Sequence, residues 1–184
     1  MILIGAMQMR FGRGAQAAQI QLAFAADLLV VACYLPIPAL FYQLLKPVNS
    51  AVSLIAAFFG VVGCAVQAFA AVFRIAPLTL KGDQAEAFAS MIRTLYTPAY
   101  RIALVFFAFA FVLIGYLVFR STFLPRFLGV LAMIAGAAWL TFLWPPLADL
   151  LWPRVILPLG IGEAVLALWL LIKGVNAERW HALR

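Results

Sequence analysis

Apolar residues fill this chain in long blocks, and its charges gather in the short stretches between them. A helix needs roughly 20 apolar residues to cross a hydrocarbon core ~30 Å thick, because each residue advances it by ~1.5 Å. Five blocks meet that length and predict spans at about 15–45, 48–73, 98–119, 124–143 and 155–172. Pro36 and Pro38 remove backbone donors from the first span and should kink its second half. Lys46-Pro47 separates it from the second span, which ends at Arg74 with Pro77 beyond, and Trp144-Pro145-Pro146 closes the fourth. Between the second and third spans, GDQAEAFASMIRTLYT opens with Asp83 three residues before Glu86, a capping-box spacing. Phe88, Met91, Ile92 and Leu95 then recur at helical intervals, predicting a short amphipathic helix at about 84–96 in the membrane interface. A loop helix packed on the bundle is the alternative. Thr97 before Pro98 has the form of an N-cap followed by proline at the first helical position, and should start the third span.

Composition turns this pattern into a class. Hydrophobic residues make up 67% of the chain and charged residues 10%, with a mean hydropathy of +1.10, far from soluble domains. The expected fold is an all-α integral membrane helical bundle of about five transmembrane helices plus the interfacial helix. It divides into a short N-terminal segment at 1–14, one bundle domain at 15–175 and a tail at 176–184. MILIGAMQM is too short to span and lacks a cleavage pattern, so no cleaved signal peptide is expected. A net charge of +7 would suggest nucleic acid in a soluble protein. Here Arg13, Lys46, Arg74, Arg101, Arg120, Arg126, Arg154 and Lys173 flank apolar runs, so the expected partners are membrane lipids, with no nucleic acid.

Orientation is nearly balanced, with seven Lys and Arg on the N-terminal side and six on the other. Asp83, Glu86 and Asp149 offset the former, so the C-terminus is expected in the cytoplasm. Gly129, Ala132, Ala135 and Gly136 lie close to one face of the fourth span, where small side chains let helices approach. That face should pack against a neighbour, and it is also a candidate surface for a homodimer or a partner membrane protein.

Two acids carry the candidate chemistry. Glu163 sits nine residues after Arg154 and ten before Lys173, in the otherwise uncharged stretch VILPLGIGEAVLALWLLI. In a straight span it lies about 13 Å from either end. A carboxylate there costs at least ~2.5–3.5 kcal/mol on insertion scales for Asp, so the group must be neutral, paired or turned to a polar cavity. Asp27 lies in the first span, which runs in the same direction, and the two carboxyls are expected at similar depth, where they would share one proton. Gln67 and Arg101 complete the set of candidate ligand- or proton-binding residues. The plainer alternative is that each acid bonds a neighbouring helix through Gln67, Tyr100 or a carbonyl freed by proline. Arg74 and Arg101 border spans on the same side as the acids and either could reach inward toward Asp27, but headgroups are the expected use of an Arg at a span end, and Tyr96 and Tyr100 are expected to be belt residues.

Other chemistries lack their residues. The single histidine, His181, lies after the last span, and no lysine lies within one, which excludes a bis-histidine haem and a retinal Schiff base in one chain. Cys33 and Cys64 lie inside spans with no metal-ligand spacing. No catalytic residue, cofactor or metal is expected. The favoured reading is a bundle that binds or passes a small solute or lipid at a protonatable polar site. A structural or accessory subunit whose acids meet a partner is the alternative, and a membrane enzyme comes third.

FAADLL at 24–29, KPVN at 46–49 with LIAAFF at 54–59, IGYLVFRSTFLPRFLGVL at 114–131 and GEAVLALWLLIKGVN at 162–176 occur together. In this order and spacing the chain resembles the bacterial membrane family catalogued as domain of unknown function 4386, from about residue 20 onward. The resemblance implies a multi-pass protein of a bacterial inner membrane and no particular activity. It also implies a further N-terminal span, where this chain has MILIGAMQM. Many relatives carry Arg and Glu where Gly60 and Gly63 stand here, and histidines at positions matching Pro98 and Ala110. Asp27 and Glu163 remain, so this member keeps the acids and lacks the cations.

Overall fold

The computed structural model describes the backbone of residues 2–80 and 85–182 and the side chains of 17–80 and 86–182. The capping box at Asp83 falls outside the described residues. Nine α-helices form the described part: α1 (Ile2–Tyr34), α2 (Pro36–Leu45), α3 (Ser50–Ile75), α4 (Ala85–Arg120), α5 (Arg126–Leu140), α6 (Pro145–Leu151), α7 (Ile156–Leu159), α8 (Ile161–Ile172) and α9 (Ala177–His181). Four stretches are long and apolar enough to cross a membrane: Ala17–Leu45, Ser50–Leu78, Glu86–Arg120 and Arg126–Leu143. A fifth crossing arises if the bent pair Pro145–Leu151 and Ile156–Ile172 acts as one. Large apolar side chains stand out from them, Leu22 at 73%, Leu150 at 78% and Leu171 at 82% exposure, as a lipid-facing surface requires. The chain is an all-α, multi-pass membrane protein.

Two local expectations meet a different outcome. Pro98 was placed at a helix start, separating an interfacial helix from the third span. It lies instead inside α4, which continues for 36 residues. A proline removes one backbone donor and crowds the preceding turn, but helices tolerate this within membranes, where neighbouring groups re-satisfy the freed carbonyl. At ~1.5 Å per residue the 36 residues of α4 amount to about 54 Å of helix, more than the ~30 Å hydrocarbon core needs, so the amphipathic and apolar segments belong to one helix.

The straight span expected at 155–172 is broken instead. Prolines start α6, and Pro158 lies in the four-residue α7, which gives way to α8 at Gly160. The axis turns by 87° between α6 and the segment that follows. The 12 residues of α8 reach about 18 Å, too short alone for the hydrocarbon core. Glu163 therefore stands in the first turn of a short helix, not at the middle of a long one.

The contacts divide the chain into two units. One comprises 1–33 and 66–100, and the other 34–65 and 101–184. In the first, Ala70, Ala71 and Ala89 are buried. In the second, Leu45, Ile114, Leu117, Val118, Leu128, Ala132 and Leu166 form a core with Phe123 and Leu124. A smaller cluster joins Ala138, Phe142, Ala148 and Ile156.

Glycine makes the second unit possible. A Cβ on Gly129 would stand 2.6 Å from the Gly115 carbonyl, one on Gly136 would stand 2.8 Å from the Val112 nitrogen, and one on Gly162 would overlap the Leu131 carbonyl. α5 thus lies backbone against backbone with α4 and α8. The small-residue face that the sequence expects to pack against a neighbour does so within the chain.

Adding one methyl at this contact should be costly. Gly129→Ala is expected to lose about 1–3 kcal/mol by overpacking, read as a lower thermal midpoint in detergent. Ala137→Gly, at an exposed position of the same helix, should lose no more than ~1 kcal/mol.

Candidate functional site

Asp27 carries its partners within the first unit. Arg74, near the end of α3, donates through Nε to Asp27 Oδ2 at 2.7 Å. Tyr96 on α4 adds its hydroxyl to the same oxygen at 3.3 Å, and the Arg74 guanidinium lies 4.1 Å from the centre of the Tyr96 ring. Tyr100, one turn along α4, stacks on Tyr96 at 5.9 Å. A carboxylate, a cation and a phenol thus satisfy one another, with the side chains of Arg74 and Asp27 31% and 21% exposed. In place of the expected carboxyl pair, Asp27 has an ion pair with an aromatic wall. Gln67 is buried in the same unit, and no hydrogen bond joins it to Asp27 among the described residues.

Arg101 meets a different acid. In the second unit it donates to Asp149 Oδ1 at 2.6 Å and sits 5.6 Å from the centre of the Phe142 ring. Neither ion-pair partner follows from sequence spacing, since Arg74 lies 47 residues from Asp27 and Asp149 lies 48 from Arg101. Of the two uses open to Arg74, the fold takes the inward one onto Asp27 in place of the headgroup anchor, and it turns Tyr96, expected as a belt residue, onto the same carboxylate.

Glu163 has a different setting in the second unit. Gly162 lets α8 settle on the α5 backbone, and the next residue, Glu163, borders a cavity of about 310 Å³. Tyr34 at the end of α1 and Ile37 and Phe41 of α2 form one wall, Phe111 of α4 another, and Gly160, Ala164, Leu166 and Ala167 complete it. Glu163 is the only charged residue among these.

Trp139 of α5 brings a donor. Its indole edge passes 3.1 Å from where a Cβ on Gly160 would stand, an approach that glycine permits. Its Nε1 is buried and within interaction range of the Glu163 carboxyl, yet it closes no hydrogen bond among the described residues. Trp139 stacks on Phe142 at 5.9 Å, which restrains the ring. A large aromatic on α5 looks like packing in the sequence, so this neighbour of Glu163 could not be foreseen. Chemically, the arrangement offers one acceptor group, a phenol and an apolar aromatic wall, and the described residues bring together no three His, Cys, Asp or Glu side chains that could hold a metal.

The Asp27 pair should be energetically coupled. Exposed pairs are worth ~0–1 kcal/mol, whereas breaking buried ones costs ~3–5 kcal/mol. For this part-buried pair, Asp27→Asn and Arg74→Gln are each expected to cost about 1–3 kcal/mol, and the double variant clearly less than their sum. Thermal unfolding of the four proteins in one detergent measures that difference.

Comparison with known proteins gives kinship without an activity. An uncharacterised protein of Archaeoglobus fulgidus is 31% identical over 137 residues, which is 72% of each chain. No solved structure matches. The family model described as "Domain of unknown function (DUF4386)" matches residues 11–174, so the chain belongs to that family of unassigned function.

Proposed function

We propose that this protein binds a small, mainly apolar molecule, a solute or a lipid, in the cavity beside Glu163, and that the carboxyl holds the one polar or cationic group of that molecule. The observation that carries this reading is a single carboxyl bordering an aromatic and aliphatic cavity of about 310 Å³. That volume is at the lower end of the ~300–1,000 Å³ of small-molecule sites, which characteristically combine apolar walls with a few placed polar groups. Tyr34, Phe41 and Phe111 supply ring surfaces of the kind that favour cations, and Glu163 supplies the counter-charge or acceptor. Asp27 contributes nothing to this site, because Arg74 and Tyr96 occupy it. Passage of the ligand across the membrane is the finer form of the proposal, with Glu163 exchanging its proton as the ligand enters and leaves.

Extraction of the protein into lipid nanodiscs, followed by mass spectrometry of co-purifying molecules, tests the reading. Ala164→Trp should fill the cavity and lower ligand retention at least tenfold while the helical circular dichroism is kept. Glu163→Gln should weaken retention of an amine-bearing ligand by about tenfold, equivalent to ~1.4 kcal/mol. Equal retention by all three proteins would remove the proposal.

We place the protein in a bacterial inner membrane with its C-terminus in the cytoplasm. Lys46, Arg120, Arg126, Lys173 and Arg179 support this by gathering at the ends expected to share that side, while Arg74 and Arg101 opposite are engaged by Asp27 and Asp149. A C-terminal green fluorescent protein fusion should fluoresce, and a C-terminal alkaline phosphatase fusion should stay inactive.

A further inference from the structure

A second concavity lies in the same unit, where the chain leaves α8. Gly174 takes φ +65°, a left-handed turn suited to glycine, and sends the last described residues back across the turn between α4 and α5. Asn176 N–H donates to the Phe123 carbonyl at 3.2 Å, Arg179 Nη1 to the Thr122 carbonyl at 3.2 Å, and Trp180 Nε1 to the Leu44 carbonyl at 2.9 Å. This clasp borders an open surface pocket of about 410 Å³, lined by Thr122, Trp169, Lys173, Asn176 and Arg179 among others.

The pocket is basic. Lys173 Nζ stands 5.1 Å from the centre of the Trp169 ring, and Arg179 is steadied through one guanidinium nitrogen, leaving its remaining N–H groups available. No Asp or Glu borders the pocket, and neither cation takes part in an ion pair among the described residues. Arg120 and Arg126 end α4 and begin α5 on either side of the same turn, adding to the positive field. The position is the end of a spanning segment, with a tryptophan of the kind found where lipid headgroups lie.

We propose that this pocket binds a phosphate-bearing anion, the headgroup of an anionic lipid or a free phosphate, through Lys173 and Arg179. Two cations held on a concave surface at the end of membrane helices are the arrangement that recognises phosphate groups of anionic lipids. Thr122 and Asn176, whose side chains carry neutral donor groups, border the same pocket. The site uses none of the groups around Glu163, so it stands apart from the cavity reading.

Native mass spectrometry of the protein released from nanodiscs of phosphatidylcholine containing phosphatidylglycerol tests this. Wild type should retain phosphatidylglycerol over phosphatidylcholine, and the double variant Lys173→Gln/Arg179→Gln should lose that preference at least tenfold. Lys173→Gln alone leaves the Arg179–Thr122 bond in place and should lose it at least threefold. Arg154→Gln removes a cation that does not border the pocket and should keep the preference. Displacement of the lipid by millimolar inorganic phosphate would assign the pocket to free phosphate, and its absence would assign it to the headgroup. Absence of any preference in wild type, together with no phosphate binding, would overturn the proposal, as would an equal loss in Arg154→Gln.

Discussion

The close approach of α5 to α4 and α8 is the contact on which the site depends. Lipid tails are as apolar as leucine, so helices in a membrane gain little from hydrophobic burial against each other and rely on dense packing. Gly115, Gly129, Gly136 and Gly162 provide it by bringing backbone to backbone. The consequence reaches the chemistry directly, because Gly162 and Glu163 are neighbours in one helical turn. Seating α8 on the Leu131 carbonyl sets where the Glu163 carboxyl begins, and Gly160 admits Trp139 beside it.

The two membrane acids show how differently one chain can accommodate the same expense. Asp27 is neutralised by a cation at 2.7 Å, shielded by a tyrosine ring and given a second donor. Nothing more is required of it. Glu163 borders open space, and the indole donor nearby falls short of a closed bond. A satisfied polar group stabilises a fold, whereas an incompletely satisfied one beside a cavity is available to a ligand. This asymmetry, more than depth in the membrane, singles out Glu163.

Much of the architecture was legible because the apolar blocks are long and the small-residue face of α5 is regular. The membrane class, the all-α fold and the tight packing of Gly129, Ala132 and Gly136 follow from those patterns. What sequence hid depended on contacts across many residues or on local bending. Pro98 looks like a boundary although α4 runs through it, and the 155–172 block looks like one helix although it divides into α7 and α8 at Gly160. Arg74 and Arg101 are equivalent by position at span ends, and only the fold hands Arg74 to Asp27 and Arg101 to Asp149. Tyr96 and Trp139 carry no local signal at all, since an aromatic on a membrane helix serves lipid, packing or a polar partner with the same spacing.

The departures from the family resemblance gain a physical meaning in this setting. The resemblance implies Arg and Glu in relatives at the positions of Gly60 and Gly63, and a histidine at that of Ala110. In this chain a Cβ on Gly60 would meet the Pro38 ring at 2.7 Å, and one on Gly63 would meet the Phe107 ring at 2.8 Å. Gly60 and Ala110 both border a second, apolar cavity of only about 30 Å³. Charged side chains at these positions would need Pro38 and Phe107 to stand elsewhere, so a polar centre there and the present packing exclude one another. Ring surfaces have taken that space, and among the described residues Glu163 is a carboxyl that still borders an open cavity in this unit.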